Sequence, residues 1–155
     1  MKTGCIIQAR MTSSRLPGKV LLPLPQAGPT TVLELVVQRV AKARSIDQLI
    51  IATTENSSDD PLVQWCGQKG IAVFRGSEDH VLSRYALCAR EHGLSRVIRV
   101  TSDCPCIDGE ILDELVALHE ADGNQYTSNT LSRSFPHGVD AEVVEADVLQ
   151  EAFEQ

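Results

Sequence analysis

Arg10, Arg15 and Lys19 stand within ten residues of one another in the segment Ile6–Val20 (IIQARMTSSRLPGKV), with Ser13, Ser14 and Gly18 between them. Guanidinium forks grip phosphate oxygens in pairs, and a lysine ammonium adds a compact charge. Serine hydroxyls and the amides of a tight loop give neutral donors to the same anion. Pro17-Gly18 would turn the chain so that Lys19 comes back towards the other cations. The whole chain carries a formal net charge of −7, so a local cluster of cations stands out. On composition alone, a solvated basic loop accounts for it about as well as a phosphate site does. Two familiar phosphate motifs are excluded. A Walker loop needs glycine where Ser13 stands and serine or threonine where Val20 stands, and no G-x-G-x-x-G occurs anywhere. A P-loop kinase and a nicotinamide enzyme are thereby disfavoured.

Carboxylates form the second set of candidates. Asp103 follows the apolar run RVIRVT (Arg96–Thr101), where it could hold a hard divalent ion together with substrate phosphates. Capping a turn is the commoner role for such an aspartate, and on these residues alone it leads. Asp108 reads as the cap of the helix that follows. Asp140 and Glu142 alternate along a short strand and would share a face. With Arg133 and His137 they could contact a ligand or a metal, or equally form a charged, solvated edge. His80 and His137 have neither ligand spacing nor a nucleophile to serve. Cys104-Pro-Cys106 falls short of a four-ligand zinc set. An odd number of cysteines, five, points to free thiols. Trp65 reads as a helix packing residue.

Alternating strands and helices must position these groups. Gly4–Gln8, Gln48–Thr53, Ala72–Phe74 and Arg96–Thr101 read as buried strands, with weaker strands at Gln125–Ser128 and Ala141–Val144. Thr31 and Glu34 have capping-box spacing ahead of a helix whose apolar stripe includes Val32, Val36 and Val40. Asp60-Pro61 opens a second helix that Gly70 ends. Further helices are expected near Val81–Glu91, Gly109–Asp122 and Glu145–Gln155. The alternation predicts parallel strands with helices on both faces. Ligands of such sheets bind beyond the carboxyl ends of the strands, which is where Gln8 leads into the cationic segment.

A length of 155 residues and a hydrophobic fraction of 43% fit one globular domain, read as spanning 1–155. The acidic balance argues against a general nucleic-acid binder. No apolar run reaches the roughly 20 residues of a membrane span, and the N-terminus lacks a secretory pattern. The expectation is a cytoplasmic protein without nucleic-acid or membrane partners.

IIQARMTSSRLPGKVLLPL closely resembles the opening motif of the cytidylyltransferases that activate acylneuraminate and 3-deoxy-manno-octulosonate, most of all their spore-coat polysaccharide branch. Similarity continues through ATTENSSDDPL (Ala52–Leu62), FRGSEDHVLSRY (Phe74–Tyr85), VTSDCPCID (Val100–Asp108) and SNTLSRSFPHGVDAEV (Ser128–Val143). The resemblance implies a three-layer α/β/α nucleotidyltransferase fold with a mostly parallel sheet. It implies CTP as donor, an acidic sugar as acceptor and magnesium or another divalent cation, and it admits a homodimer. By position, Arg10, Arg15 and Lys19 would bind the triphosphate, with Ser13 and Ser14 beside them. Gln8, Ala9 and Thr53 would lie near the nucleoside, and Ser77, Asp79 and Arg84 in a second nucleotide-facing segment. TSDCP places Asp103 at the metal, reversing the order of its two readings. Arg10, Lys19 and Asp103 are the catalytic candidates, and Arg133, Asp140 and Glu142 the acceptor candidates.

One departure from that pattern stands out. Family members continue beyond the Gly-x-Asp-x-Glu-Val segment to a later aspartate-containing strand motif, and nothing here corresponds to it. The last helix also carries no stop signal. These features lead us to expect a chain truncated on its acceptor side. A nucleotide-binding module without catalysis and a glycosyltransferase are the competing functions, since a shared scaffold does not separate them.

Overall fold

The computed structural model describes residues 1–13 and 16–155. The chain runs through β1 (Thr3–Gln8), a small ribbon of β2 (Pro23–Leu24) and β3 (Thr30–Thr31), α1 (Val32–Val40), β4 (Gln48–Thr54), α2 (Asp60–Lys69) and β5 (Ala72–Gly76). It continues through α3 (Val81–Glu91), β6 (Arg96–Thr101), α4 (Gly109–Ala121), β7 (Tyr126–Ser128), β8 (Glu142–Glu145) and α5 (Ala146–Glu154). Six of the strands form one sheet in the order β5-β4-β1-β6-β8-β7.

β1 lies between β4 and β6, parallel to both. Covered on both faces, it reads as the unbroken apolar run Cys5-Ile6-Ile7, each residue fully buried. On one face Ile7, Ile51, Ile98, Val100 and Val143 meet Leu33, Val36 and Val40 of α1, Leu62 and Cys66 of α2, and Leu112 and Val116 of α4. Trp65 packs at the margin of the same cluster. On the other face Ile6, Ile50, Ala52, Val97 and Val144 meet Tyr85, Ala86 and Ala89 of α3 and Leu149 of α5. The expected three layers are present.

The helix ends follow their local chemistry. The Thr31 hydroxyl accepts the Glu34 amide at 3.2 Å, and Asp108 caps α4 by accepting from the Glu110 amide at 2.9 Å. Gly70, at φ 67°, ends α2 in the left-handed conformation. Among the described residues, no helix is long and apolar enough to cross a membrane.

The sheet is mostly parallel, as expected, and one placement needs correction. Parallel pairing holds for β5, β4, β1 and β6, but β8 pairs antiparallel with both β6 and β7. The connection between β7 and β8 contains no helix to carry a parallel crossover, so the chain doubles back. Asp140 and Glu142 do not share a strand, because β8 starts at Glu142. The backbone just ahead of it is held largely by one side chain. The Asn129 amide donates to the Val139 carbonyl at 2.8 Å and accepts from the Ala141 amide at 3.0 Å. Asp140 therefore stands in a loop.

A buried polar cluster ties the reversed strand down. Glu145 Oε1 accepts from Arg96 Nε and His119 Nε2, both at 2.8 Å, and His119 Nδ1 lies 2.9 Å from the Thr127 hydroxyl. Burial pushes the Glu145 carboxyl upward, but hydrogen bonds from Arg96 and His119 outweigh it and leave the group below its ordinary value of 4.5. A depressed folded-state value stabilises the protein above the unfolded value, and that stabilisation disappears as pH falls through the folded one. Urea midpoints should therefore fall on acidification below about pH 4.5. Glu145→Gln should be less stable at pH 7 and show a shallower acid slope, both readable from urea melts across pH 3–7.

Candidate active site

The carboxyl ends of β1 and β6 open into a crevice of about 290 Å³ lined by Gln8, Arg10, Thr12, Ser13, Lys19, Val20, Arg99, Thr101, Ser102 and Asp103. Gln8 and Thr101 are register partners at the ends of adjacent strands, so their side chains share a face. Ala9 extends β1 by donating its amide to the Ala52 carbonyl at 3.0 Å, and it is buried. The loop then leaves the sheet and is drawn closed where the Gly18 amide donates to the Met11 carbonyl at 2.8 Å. Gly18 adopts φ 70°, a conformation glycine reaches without steric cost, and a 3-10 turn begins at Lys19. Val20 is buried in the core, and Lys19 stands beside it on the crevice wall. Ser14 and Arg15 lie outside the described residues.

Lys19 Nζ meets Asp103 Oδ2 at 2.5 Å. Burial works against the charged form of Asp103, but hydrogen bonds from Lys19 and Thr101 more than compensate, holding the carboxyl below its ordinary value. Arg10 Nη1 lies 3.5 Å from Glu78 Oε1. Glu78 also accepts from the Thr12 hydroxyl at 3.1 Å and from the Asn56 amide. The crevice thus brings together Gln8, Arg10, Ser13, Lys19 and Asp103, each cation resting on a carboxylate.

Other expected residues lie elsewhere. The Thr53 hydroxyl is directed to Asp59 Oδ2 at 2.8 Å. Ser77 accepts the His80 amide at 3.2 Å just ahead of α3, and Asp79 is exposed. Arg84 is fully buried in α3, and none of its guanidinium nitrogens has a hydrogen-bond partner among the described residues. Burial lowers its pKa, and Arg10, Asp59 and Glu78 are close enough to act on its charge. Arg133 makes a two-pronged contact with Asp140 at 2.8 and 3.2 Å, away from the crevice lining. Burial and the negative charges of Asp103 and Asp140 raise the pKa of the Cys104 thiol.

Three residues that sequence reasoning passed over matter here. Asp59 is fully buried and accepts four hydrogen bonds, from Met11 N (2.7 Å), Thr54 N (3.1 Å), Thr53 Oγ1 (2.8 Å) and Thr54 Oγ1 (2.5 Å). It fastens the start of the cationic loop to the end of β4. The sequence offers one signal for it: in Ser-Ser-Asp-Asp-Pro a single acid is enough to start α2. Glu78 holds Arg10. Arg99 lines the crevice and pairs with Glu142 at 2.5 Å.

The comparisons with known proteins bear on this geometry. A family described as cytidylyltransferase matches residues 4–146. The spore coat polysaccharide biosynthesis protein SpsF of Bacillus subtilis (strain 168) is 41% identical over 148 residues, which cover 93% of this chain and 59% of that protein. Among solved structures, a cytidylyltransferase from Leptospira borgpetersenii serovar Hardjo-bovis (strain JB197) superposes with a TM-score of 0.91 at 35% identity, over 99% of this chain and 64% of that one. A CMP:2-keto-3-deoxy-manno-octonic acid synthetase complexed with CTP shares the fold, with a TM-score of 0.78 at 17% identity over 99% of this chain and 78% of that one. The chain thus spans about three fifths of the length of the first two. The match takes in the cationic loop at the end of β1 and the aspartate at the end of β6, and by that extent the chain belongs to the cytidylyltransferase family.

Proposed function

We propose that this chain holds the nucleotide site of a CTP-dependent nucleotidyltransferase that forms a CMP-activated acidic sugar. A hydroxyl oxygen of the sugar bonds to the α-phosphorus of CTP, the bond from that phosphorus to the bridging oxygen breaks, and pyrophosphate departs. The observation that carries this reading is the Lys19–Asp103 contact. A cation suited to phosphate and a carboxylate suited to a divalent ion meet where the ends of β1 and β6 face one crevice.

Asp103 fits such an ion. Its side chain is 41% exposed, and one oxygen rests on a lysine that phosphate would attract away. No cluster of three or more His, Cys, Asp or Glu side chains suited to a metal occurs among the described residues. A magnesium ion here would accordingly be shared between Asp103 and the triphosphate, neutralising charge on the reacting phosphate. Lys19 exchanges Asp103 for phosphate oxygens, and Arg10 exchanges Glu78. Both then stabilise the charge that grows on the leaving pyrophosphate, a task of positioning and electrostatics. Gln8 borders the nucleoside, while Ala9 and Arg84 are buried behind the crevice wall and do not line it. Thr53 contributes through Asp59.

The test is pyrophosphate release from each of the four NTPs, with a panel of acidic sugars, with and without magnesium. Release is expected only when CTP, an acidic sugar and the divalent ion are all present, and a chelator should abolish it. CTP binding without release would favour a binding module. Consumption of a preformed nucleotide sugar would favour a glycosyltransferase.

A further inference from the structure

Arg99 borders two cavities at once. On one side is the crevice, where Thr101 follows Arg99 by two residues on the same face of β6, about 7 Å along the strand. On the other is a second cavity of about 450 Å³, between α3, α5 and the β6-β8-β7 edge. That volume is in the range of small-molecule pockets, ~300–1,000 Å³. Its walls are largely apolar, with Leu82, Val144, Val148 and Leu149, and its charged members are Arg99 and Glu142.

The guanidinium is held from two directions. Glu142, its direct cross-strand partner, accepts from Nη1. The Tyr85 ring lies beneath it at 5.8 Å, and the Tyr85 hydroxyl donates to Gln8 Oε1 at 3.5 Å on the crevice side. A guanidinium has five N–H donors in a fixed fork. With one nitrogen on Glu142, the Nε and Nη2 edge is still able to receive a carboxylate in two-pronged fashion. Among the described residues of the crevice lining, Lys19 and Arg10 belong to the loop after β1, and Arg99 is the cation that β6 supplies.

We infer that the second cavity is the acceptor subsite, with Arg99 as the specificity-determining residue that binds the acceptor's carboxylate while Val144 and Leu149 cover an apolar C–H face of the same molecule. This rests on the nucleotidyltransferase reading and extends it. The acceptor is then an acid with one weakly polar flank, anchored so that a hydroxyl reaches over Thr101 towards Asp103. Glu142 is a positioning residue that fixes the angle of the fork.

The test measures binding by calorimetry with CTP present and no divalent ion added. Probes are N-acetylneuraminate and 3-deoxy-manno-octulosonate, each beside its methyl ester, which keeps the shape and removes the charge. At least one acid should bind the wild-type chain about tenfold or more tightly than its ester. At saturating CTP, Arg99→Gln should erase that preference, whereas Arg99→Lys, with charge but no fork, should recover part of it. A merely structural role for Arg99 would weaken acid and ester alike and leave their ratio unchanged. Equal binding of acid and ester by the wild-type chain, or a preference that survives Arg99→Gln, would overturn the inference. Failure of the wild-type chain to bind CTP would strike the nucleotide-site reading itself, and appears separately in the CTP titration.

Discussion

Asp103→Ala should lower magnesium-dependent pyrophosphate release by about 10²–10³-fold or more, the scale expected when a principal electrostatic element of a reaction centre is removed. The same substitution should tighten CTP binding measured without metal. Asp103 holds Lys19 at 2.5 Å, and deleting the carboxylate frees that ammonium for phosphate while removing a negative charge from the crevice. Lys19→Ala should do the reverse and weaken CTP binding with or without metal. A charge-assisted hydrogen bond contributes about 1.5–3 kcal/mol, or roughly 10–100-fold in Kd. Titrating CTP into both variants, with and without magnesium, reads the opposite signs directly. Equal weakening in both would sink the exchange of Lys19 from carboxylate to phosphate.

Asp59→Ala should destabilise the protein and loosen the nucleotide site together. The carboxylate is fully buried, with four donors directed at it. Removing it leaves those donors unpaired inside the protein, which costs about 3 kcal/mol or more. The Met11 amide would lose its anchor, so the loop that carries Arg10 and Lys19 would sample more conformations before binding. Urea melts should show a lower midpoint, and CTP affinity should fall even though Asp59 never touches the nucleotide. Burial opposes ionisation of Asp59, but hydrogen bonds from Thr54, Met11 and Thr53 outweigh it and keep the carboxyl below its ordinary value. Its contribution to stability is therefore present at neutral pH and lost on acidification through that lowered value. Stability unchanged in the variant at neutral pH would contradict the tether.

The contrast between these residues explains what the sequence made legible. Lys19, Gly18 and Pro17 are neighbours in the chain, so their turn is local and can be read from residue types. Asp103 follows a strand, where a turn cap is its first reading, and only the resemblance of TSDCP to the family motif singles it out. Asp59 is different, because its partner Met11 is 48 residues away. Arg99 and Glu142 are 43 residues apart and face each other only because β8 runs antiparallel. Alternation of strands and helices implies parallel neighbours, and it gave no warning of that reversal. The strand pattern also placed Asp140 beside Glu142, whereas the Asn129 amide holds the intervening backbone in a loop.

The reversal of β8 has a consequence for how recognition is divided along the chain. In the parallel part of the sheet, each strand delivers its last residues to the rim that carries the crevice. β8 delivers its first residue, Glu142, to the same rim from the opposite direction. On the proposed reading, residues that face CTP are encoded at strand endings early in the chain, and those beside Arg99 at a strand beginning late in it. Between β7 and β8, the exposed residues Leu131–Ser134 lie in a loop outside the registers of β1, β4 and β6. If the proposed sites hold, exchanging that loop should alter acceptor preference and leave the Kd for CTP unchanged, which titrating CTP and the acceptor acids into a loop variant would read.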